Sequence, residues 1–471
     1  MRLVNGAWQR AICLGVALAL ASLAAQAQTV EQIDASARAR IDSIATLVLG
    51  QTGVPSASVA IVQQGKVVYA HAYGYARLEG QVPASPVMRY SIGSVSKQFT
   101  AAALLLLQEE GRVNLDDPVS RYIPGLTRGN EVTIRQLLSH TSGYQDYWPE
   151  DYVMTPMLAP VTAQQIIDQW AKKPLDFEPG TQWQYSNTNY VIAGQIVEKI
   201  AGEPLFDFLE ERIFRPLGMK SVWNSDEVQL TTSDAAACYR HALGPLRVAP
   251  NEGHGWMFAA GELAMTAHDL ALWDASLIAQ SLLKPESYRE IATDVKLKNG
   301  QDTHYGLGVE ILNLHGHLAL EHSGEVSGFG ADNIVLAGDK AAVAVLTNQD
   351  DSNAPSRIAQ LVASVLIGPS TSNPAEQQTL ALFRTLQRGR IDRSLLAPNL
   401  SNYFTAEALD DFRNSLAPLG EPICIQQQGE KLRGGMTFRS FTIIFPQQRL
   451  SLTTYTYPNG KLEQYLIEPE P

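Results

Sequence analysis

Ser91-Ile92-Gly93-Ser94-Val95-Ser96-Lys97-Gln98-Phe99-Thr100 runs straight into Ala101-Ala102-Ala103-Leu104-Leu105-Leu106-Leu107-Gln108-Glu109-Glu110, with Gly111 behind it. Strong helix formers stopped by a glycine predict a buried helix with Gly111 just past its end. Ser94 falls near the start of that helix and Lys97 lies three residues on, which places both on one face. A serine hydroxyl is a weak nucleophile, but a desolvated and partly neutral lysine beside it can take its proton. Backbone N–H groups at the helix start favour the negative charge that develops there. Taken alone, Ser-x-x-Lys describes an N-capping serine followed by a solvated lysine equally well. The weight comes from what stands downstream.

Two further pieces follow in order. Tyr185-Ser186-Asn187 sits in a turn before a helix expected near Tyr190. A tyrosine held between cations loses its proton well below the usual value of about 10 and then serves as a base. The asparagine two residues on can orient the lysine and a substrate carbonyl. Glu321-His322-Ser323-Gly324-Glu325 ends an apolar strand. A strand edge with a cation and a glycine lets a substrate backbone lie alongside. An N–H there can complete an oxyanion hole with that of Ser94.

Ser-x-x-Lys, Tyr-x-Asn and His-x-Gly, with a helical insert between them, resemble the penicillin-recognising serine hydrolases of the class C β-lactamase and DD-peptidase type. That group also holds D-aminopeptidases and lactamase-like esterases. The resemblance spans about residues 30–367 and includes the Leu137-Leu138-Ser139-His140-Thr141-Ser142-Gly143 stretch and Ala259-Ala260-Gly261-Glu262-Leu263. It implies that Ser94 is acylated, that Lys97 assists its deprotonation, and that Tyr185 is the base for acylation and for activating water. Asn187 would position the substrate amide, and Ser94 with the Glu325 N–H would form the oxyanion hole, so that Ser323, Gly324 and Glu325 bind substrate. His322 stands where class C β-lactamases carry lysine. An imidazole is only partly cationic near neutrality, so it would hold a substrate carboxylate less firmly than lysine.

The rest of the chain frames this. The 471 residues carry 36 basic and 48 acidic side chains with no basic run, which argues against nucleic acid as a partner. Arg2 and Arg10, the apolar run Ala11–Ala25 and Ala25-Gln26-Ala27 read as a signal peptide over 1–27, hence an exported, periplasmic or secreted protein without a permanent membrane anchor. That leaves Cys238 and Cys424, which need not pair. No His-Glu-x-x-His spacing occurs, and neither metal nor cofactor is expected. His140 is read as holding the loop around Thr141–Gly143. Tyr144, Tyr147, Trp148 and Tyr152 are candidates for lining the cleft.

Strand patterns at 56–62, 67–74, 305–312, 317–322, 332–336 and 341–347 enclose a mostly helical stretch of about 95–300. The fold class is therefore α+β: an antiparallel sheet flanked by helices, with a helical insert, over 28–367. Residues 368–374 read as a linker. Residues 375–471 read as a small α+β domain whose element order resembles the nuclear transport factor type. The expected function is an exported serine hydrolase working through an acyl-enzyme on Ser94 and cleaving a small amide, a peptide, D-amino-acid-containing peptides among them, or an ester. Peptidoglycan fragments and β-lactams are candidate partners. An efficient class C-like β-lactamase and a non-catalytic binder of peptidoglycan fragments are the alternatives.

Overall fold

Strand-forming segments from the two ends of the 28–367 stretch lie side by side. The computed structural model describes residues 33–150, 153–228, 230, 234, 236, 239–240, 244–367, 373–445 and 448–469. The expected signal segment, Tyr152, Cys238 and most of the expected linker lie outside these. In the main sheet of seven antiparallel strands the order is 82–83, 66–77, 56–63, 341–347, 329–336, 317–326, 310–314. Ala57 pairs with Thr347 and Gln63 with Ala341, so the first long strand closes on the last.

Alternating apolar residues serve both faces of this sheet. One face takes the helices Ala35–Thr52 and Ala354–Ile367, with Ile44, Val48, Ile358 and Val362 buried between. Asp34 caps the first of these by accepting from the N–H groups of Ser36 and Ala37. The other face takes the helix Lys97–Glu109 and the helical insert. Leu104, Leu105, Ile192 and Trp273 are fully enclosed there. Among the described residues no helix is long and apolar enough to cross a membrane.

The structure differs from the expected elements in places that matter to the site. Ser94 lies in a 3-10 turn, Gly93–Ser96, and the α-helix proper begins at Lys97. The helix after the tyrosine motif starts at Asn187, not Tyr190. The strand expected from Tyr305 begins at Glu310, and Tyr305 instead sits in the preceding loop. Inside the stretch read as helical, Leu263–Met265 is a short strand between Tyr90–Ser91 and Trp223–Asn224. This three-stranded sheet ties the segment before Ser94 to the segment after Ala260.

Beyond residue 373, the helices Pro374–Gln387 and Ala406–Leu416 pack on a four-stranded antiparallel sheet, with Phe383, Phe404, Phe441 and Leu452 in their own core. Ile423, Cys424 and Ile444 join the core under the first helix of the chain, and Arg40 donates to the Ile423 carbonyl at 2.9 Å. Cys424 is buried with a free thiol.

Candidate active site

Gly93 and Gly324 decide how closely two segments approach. A Cβ on Gly324 would lie 2.0 Å from the Ile92 carbonyl oxygen and 3.0 Å from the Ser94 nitrogen; one on Gly93 would lie 2.6 Å from the Glu325 nitrogen. Gly93 also has φ +50°, which disfavours a side chain. Only glycines let the 317–326 strand lie against the Ser94 turn, and so bring the backbone of Glu325 to the nucleophile.

Lys97 is fully buried. Its ammonium donates to Ser94 Oγ at 2.9 Å, Asn187 Oδ1 at 2.8 Å and the Ala260 carbonyl at 2.8 Å. Burial lowers its pKa to about 7, opposed by the nearby charge of Asp146. Near neutrality a large share of the lysine is therefore free amine, and the Ser94 hydroxyl can turn to donate to it.

The partners of Lys97 are themselves held. Asp146 accepts from the Asn187 N–H at 2.9 Å and from its side-chain amide at 3.3 Å, which fixes the Asn187 oxygen towards the lysine. Burial raises the Asp146 carboxyl. Glu262 accepts from the Ala259 N–H at 3.2 Å and from the Asn224 amide at 3.1 Å. Ala259 has φ +58°, and Thr100 donates to its carbonyl at 2.8 Å. These bonds shape the turn that presents the Ala260 carbonyl. Burial, with Asp226 close by, pushes Glu262 up to about 8. Neither Asp146 nor Glu262 emerged from the sequence. Asp146 lies two residues beyond Tyr144 in the aromatic loop, and Glu262 lies within the quoted Ala-Ala-Gly-Glu-Leu stretch.

Tyr185 hydrogen-bonds Ser94, and the Lys97 ammonium lies 5.0 Å from its ring centre. The expected phenolate is not supported. Burial raises the phenol, the Ser94 bond opposes it, and the charges of Asp146 and Glu310 add smaller amounts to the rise. Among the described residues the cation beside it, Lys97, faces the ring and not the hydroxyl, so Tyr185 rests as a phenol.

His140 does more than brace its own loop. It is fully buried at φ +59°, and its Nδ1 accepts from the Ser186 N–H at 3.2 Å. Its ring lies 4.3 Å from that of Tyr185. Its carbonyl accepts from Gln184, that of Thr141 from Gly180, and that of Gly143 from Asp176. The His-Thr-Ser-Gly stretch is thus the cradle of the tyrosine loop.

His322 overturns the expectation of a partial cation. Its Nδ1 lies 2.5 Å from the Ser323 carbonyl and its Nε2 2.8 Å from the Tyr305 hydroxyl. A carbonyl only accepts, so this network assigns the proton to Nδ1, and Nε2 accepts from the tyrosine. Burial, reinforced by the charge of Lys97, drives its pKa down to about 3 against the opposing Ser323 bond. The ring is neutral near pH 7.

These residues surround one cleft of about 1590 Å³, lined by Ser94, Tyr185, Asn187, His322, Ser323, Gly324 and Glu325. Tyr147, Trp148 and Trp183 form part of its wall, whereas Tyr144 is packed in the core. Among the described residues no three His, Cys, Asp or Glu side chains group as metal ligands.

A buried lysine on a serine hydroxyl, flanked by a tyrosine and a glycine-bearing strand, defines a serine hydrolase. The sequence model of the Beta-lactamase family matches residues 27–366, and the chain belongs to that family. It is 27% identical over 378 residues to penicillin-binding protein 4* of Bacillus subtilis, covering 76% of this chain and 83% of that one. It is 27% identical to a D-aminopeptidase of Gluconobacter oxydans, over 74% of this chain and 66% of that relative, just under two thirds of its length. The octameric penicillin-binding protein homologue from Pyrococcus abyssi shares the fold, with a TM-score of 0.64 at 24% identity over 91% of this chain and 99% of that one.

Proposed function

We propose that the protein hydrolyses a small amide, ester or D-amino-acid-containing peptide through an acyl-enzyme on Ser94. The observation that carries this is the 2.9 Å contact between Ser94 Oγ and the buried Lys97, whose pKa is lowered to about 7. Ser94 Oγ bonds to the carbonyl carbon while its proton passes to Lys97 Nζ. The N–H groups of Ser94 and Glu325 receive the oxyanion. The proton then moves through the Tyr185 phenol to the leaving nitrogen or oxygen, and its bond to carbon breaks. Water enters by the reverse proton path and frees the acid. Tyr185 acts as a relay, since burial keeps its proton on. The D-amino-acid part of the reading draws on the D-aminopeptidase relative. An exported protein is part of the same proposal, resting on residues 1–27.

Mass spectrometry after treatment with a fluorophosphonate tests it. One adduct on Ser94, absent from Ser94→Ala, is expected. An adduct persisting on the Ser94→Ala protein would sink the assignment.

A further inference from the structure

Among the described residues the cleft offers no cationic side chain on its wall to pair with a carboxylate. Its lining includes Asp146, Glu150, Glu310, Glu325, Asp350 and Asp351 and, among the described residues, no lysine or arginine. Lys97 lies beneath the floor, fully buried and bonded to Ser94, Asn187 and Ala260. At the position where a family lysine would stand, both nitrogens of His322 are committed to Ser323 and Tyr305.

Glu310 stands out among the acids. It is the first residue of the edge strand 310–314 and pairs with Glu321, the neighbour of His322. It is half-buried, and its charge reaches Tyr185 and Tyr305. No hydrogen bond or ion pair engages its carboxylate among the described residues, and burial, then the neighbouring Glu321, disfavours its charged form. A half-buried carboxylate without a paired cation is stabilised in its charged form by any cation that reaches it. Glu310 and Tyr185 line the same cleft, and Tyr185 hands the proton to the departing group.

We propose that Glu310 is a specificity residue that selects substrates whose leaving group carries a positive charge, the reverse of carboxylate recognition. The proposal rests on the acyl-enzyme reading. The cation is an alkylammonium or amine on the leaving side, and a carboxylate there meets Glu310 unpaired.

Three thioacetates of matched shape test it: acetylthiocholine, S-(3,3-dimethylbutyl) thioacetate and S-(2-carboxyethyl) thioacetate, which carry a cationic, an uncharged and an anionic leaving thiol. With the full chain, kcat/KM is expected to be about tenfold higher for the cationic than for the uncharged ester, and lowest for the anionic one. The preference should shrink as salt is added. In Glu310→Gln the cationic-to-uncharged ratio should fall towards one, and in Glu310→Lys the anionic ester should overtake the cationic one. Turnover of all three without charge preference, or a ratio unmoved in Glu310→Gln, overturns this inference alone. Turnover of none, with no fluorophosphonate adduct on Ser94, overturns the acyl-enzyme reading and this one with it.

Discussion

Asp146 takes two hydrogen bonds from the same residue, the backbone N–H and the side-chain amide of Asn187. With its amide engaged this way, Asn187 keeps its oxygen on Lys97 at 2.8 Å. Asp146 also raises the lysine pKa through its charge. Asp146→Ala should therefore lower kcat by about tenfold to a hundredfold, on the scale of a misplaced proton-transfer group. It should also shift the acid limb of kcat/KM to lower pH, because the lysine loses a stabilising anion. A limb displaced to higher pH would contradict the arrangement.

Lys97 must be neutral to take the serine proton, so kcat/KM should rise with pH through a value near 7 and then level off. The same burial costs folding free energy. The lysine falls from 10.5 unfolded to about 7 folded, so the native state binds fewer protons. The cost, about 5 kcal/mol by linkage, is fully present below pH 7 and fades as pH climbs towards 10.5. Lys97→Met should abolish labelling. The gap in Tm between Lys97→Met and wild type should favour the variant more at pH 6 than at pH 9. A gap that does not change with pH would mean that the lysine is not desolvated.

Glu262 gives the opposite sign. Its pKa rises from 4.5 to about 8 on folding, so stability due to this group falls as pH rises from 4.5 through 8. Glu262→Gln cannot ionise and should gain on the wild type between pH 5 and pH 8 in thermal melts. Equal differences at the two pH values would show that Glu262 is solvated.

His322→Lys should not install a carboxylate reader. The ring is buried beside Lys97, so a second ammonium there is unpaired and repels the first. The expected result is a loss of several kcal/mol in urea melts, in the range for a buried uncompensated charge. Improved handling of carboxylate-bearing β-lactams, with stability intact, would reverse this account.

The family domain was legible because its signals are local. Ser94 and Lys97 share one helical turn, Tyr185 and Asn187 one loop-to-helix junction, His322 and Gly324 one strand, and short spacings survive in the sequence. What the sequence hides is protonation. Tyr185 reads as a phenolate base and His322 as a partial cation only if their surroundings are ignored. Their states are set by burial under segments far apart in the chain, with Tyr305 and His140 supplying the contacts. Asp146 and Glu262 escaped for the same reason, since a lone carboxylate acquires meaning only from the amides folded around it. The strand Leu263–Met265 was missed because three residues are too few to show a period.

The pairing of Ala57 with Thr347 sets an order of events during synthesis. The 56–63 strand leaves the ribosome early, yet its sheet neighbour on one side comes only after nearly the whole family domain has been made. Until then that edge, Val59, Ile61 and their neighbours included, stays open to wrong partners. Contacts so distant in sequence make closure slow. The chain thus stays incompletely folded for the length of its own translation, a state in which a holding chaperone has a long window to engage it.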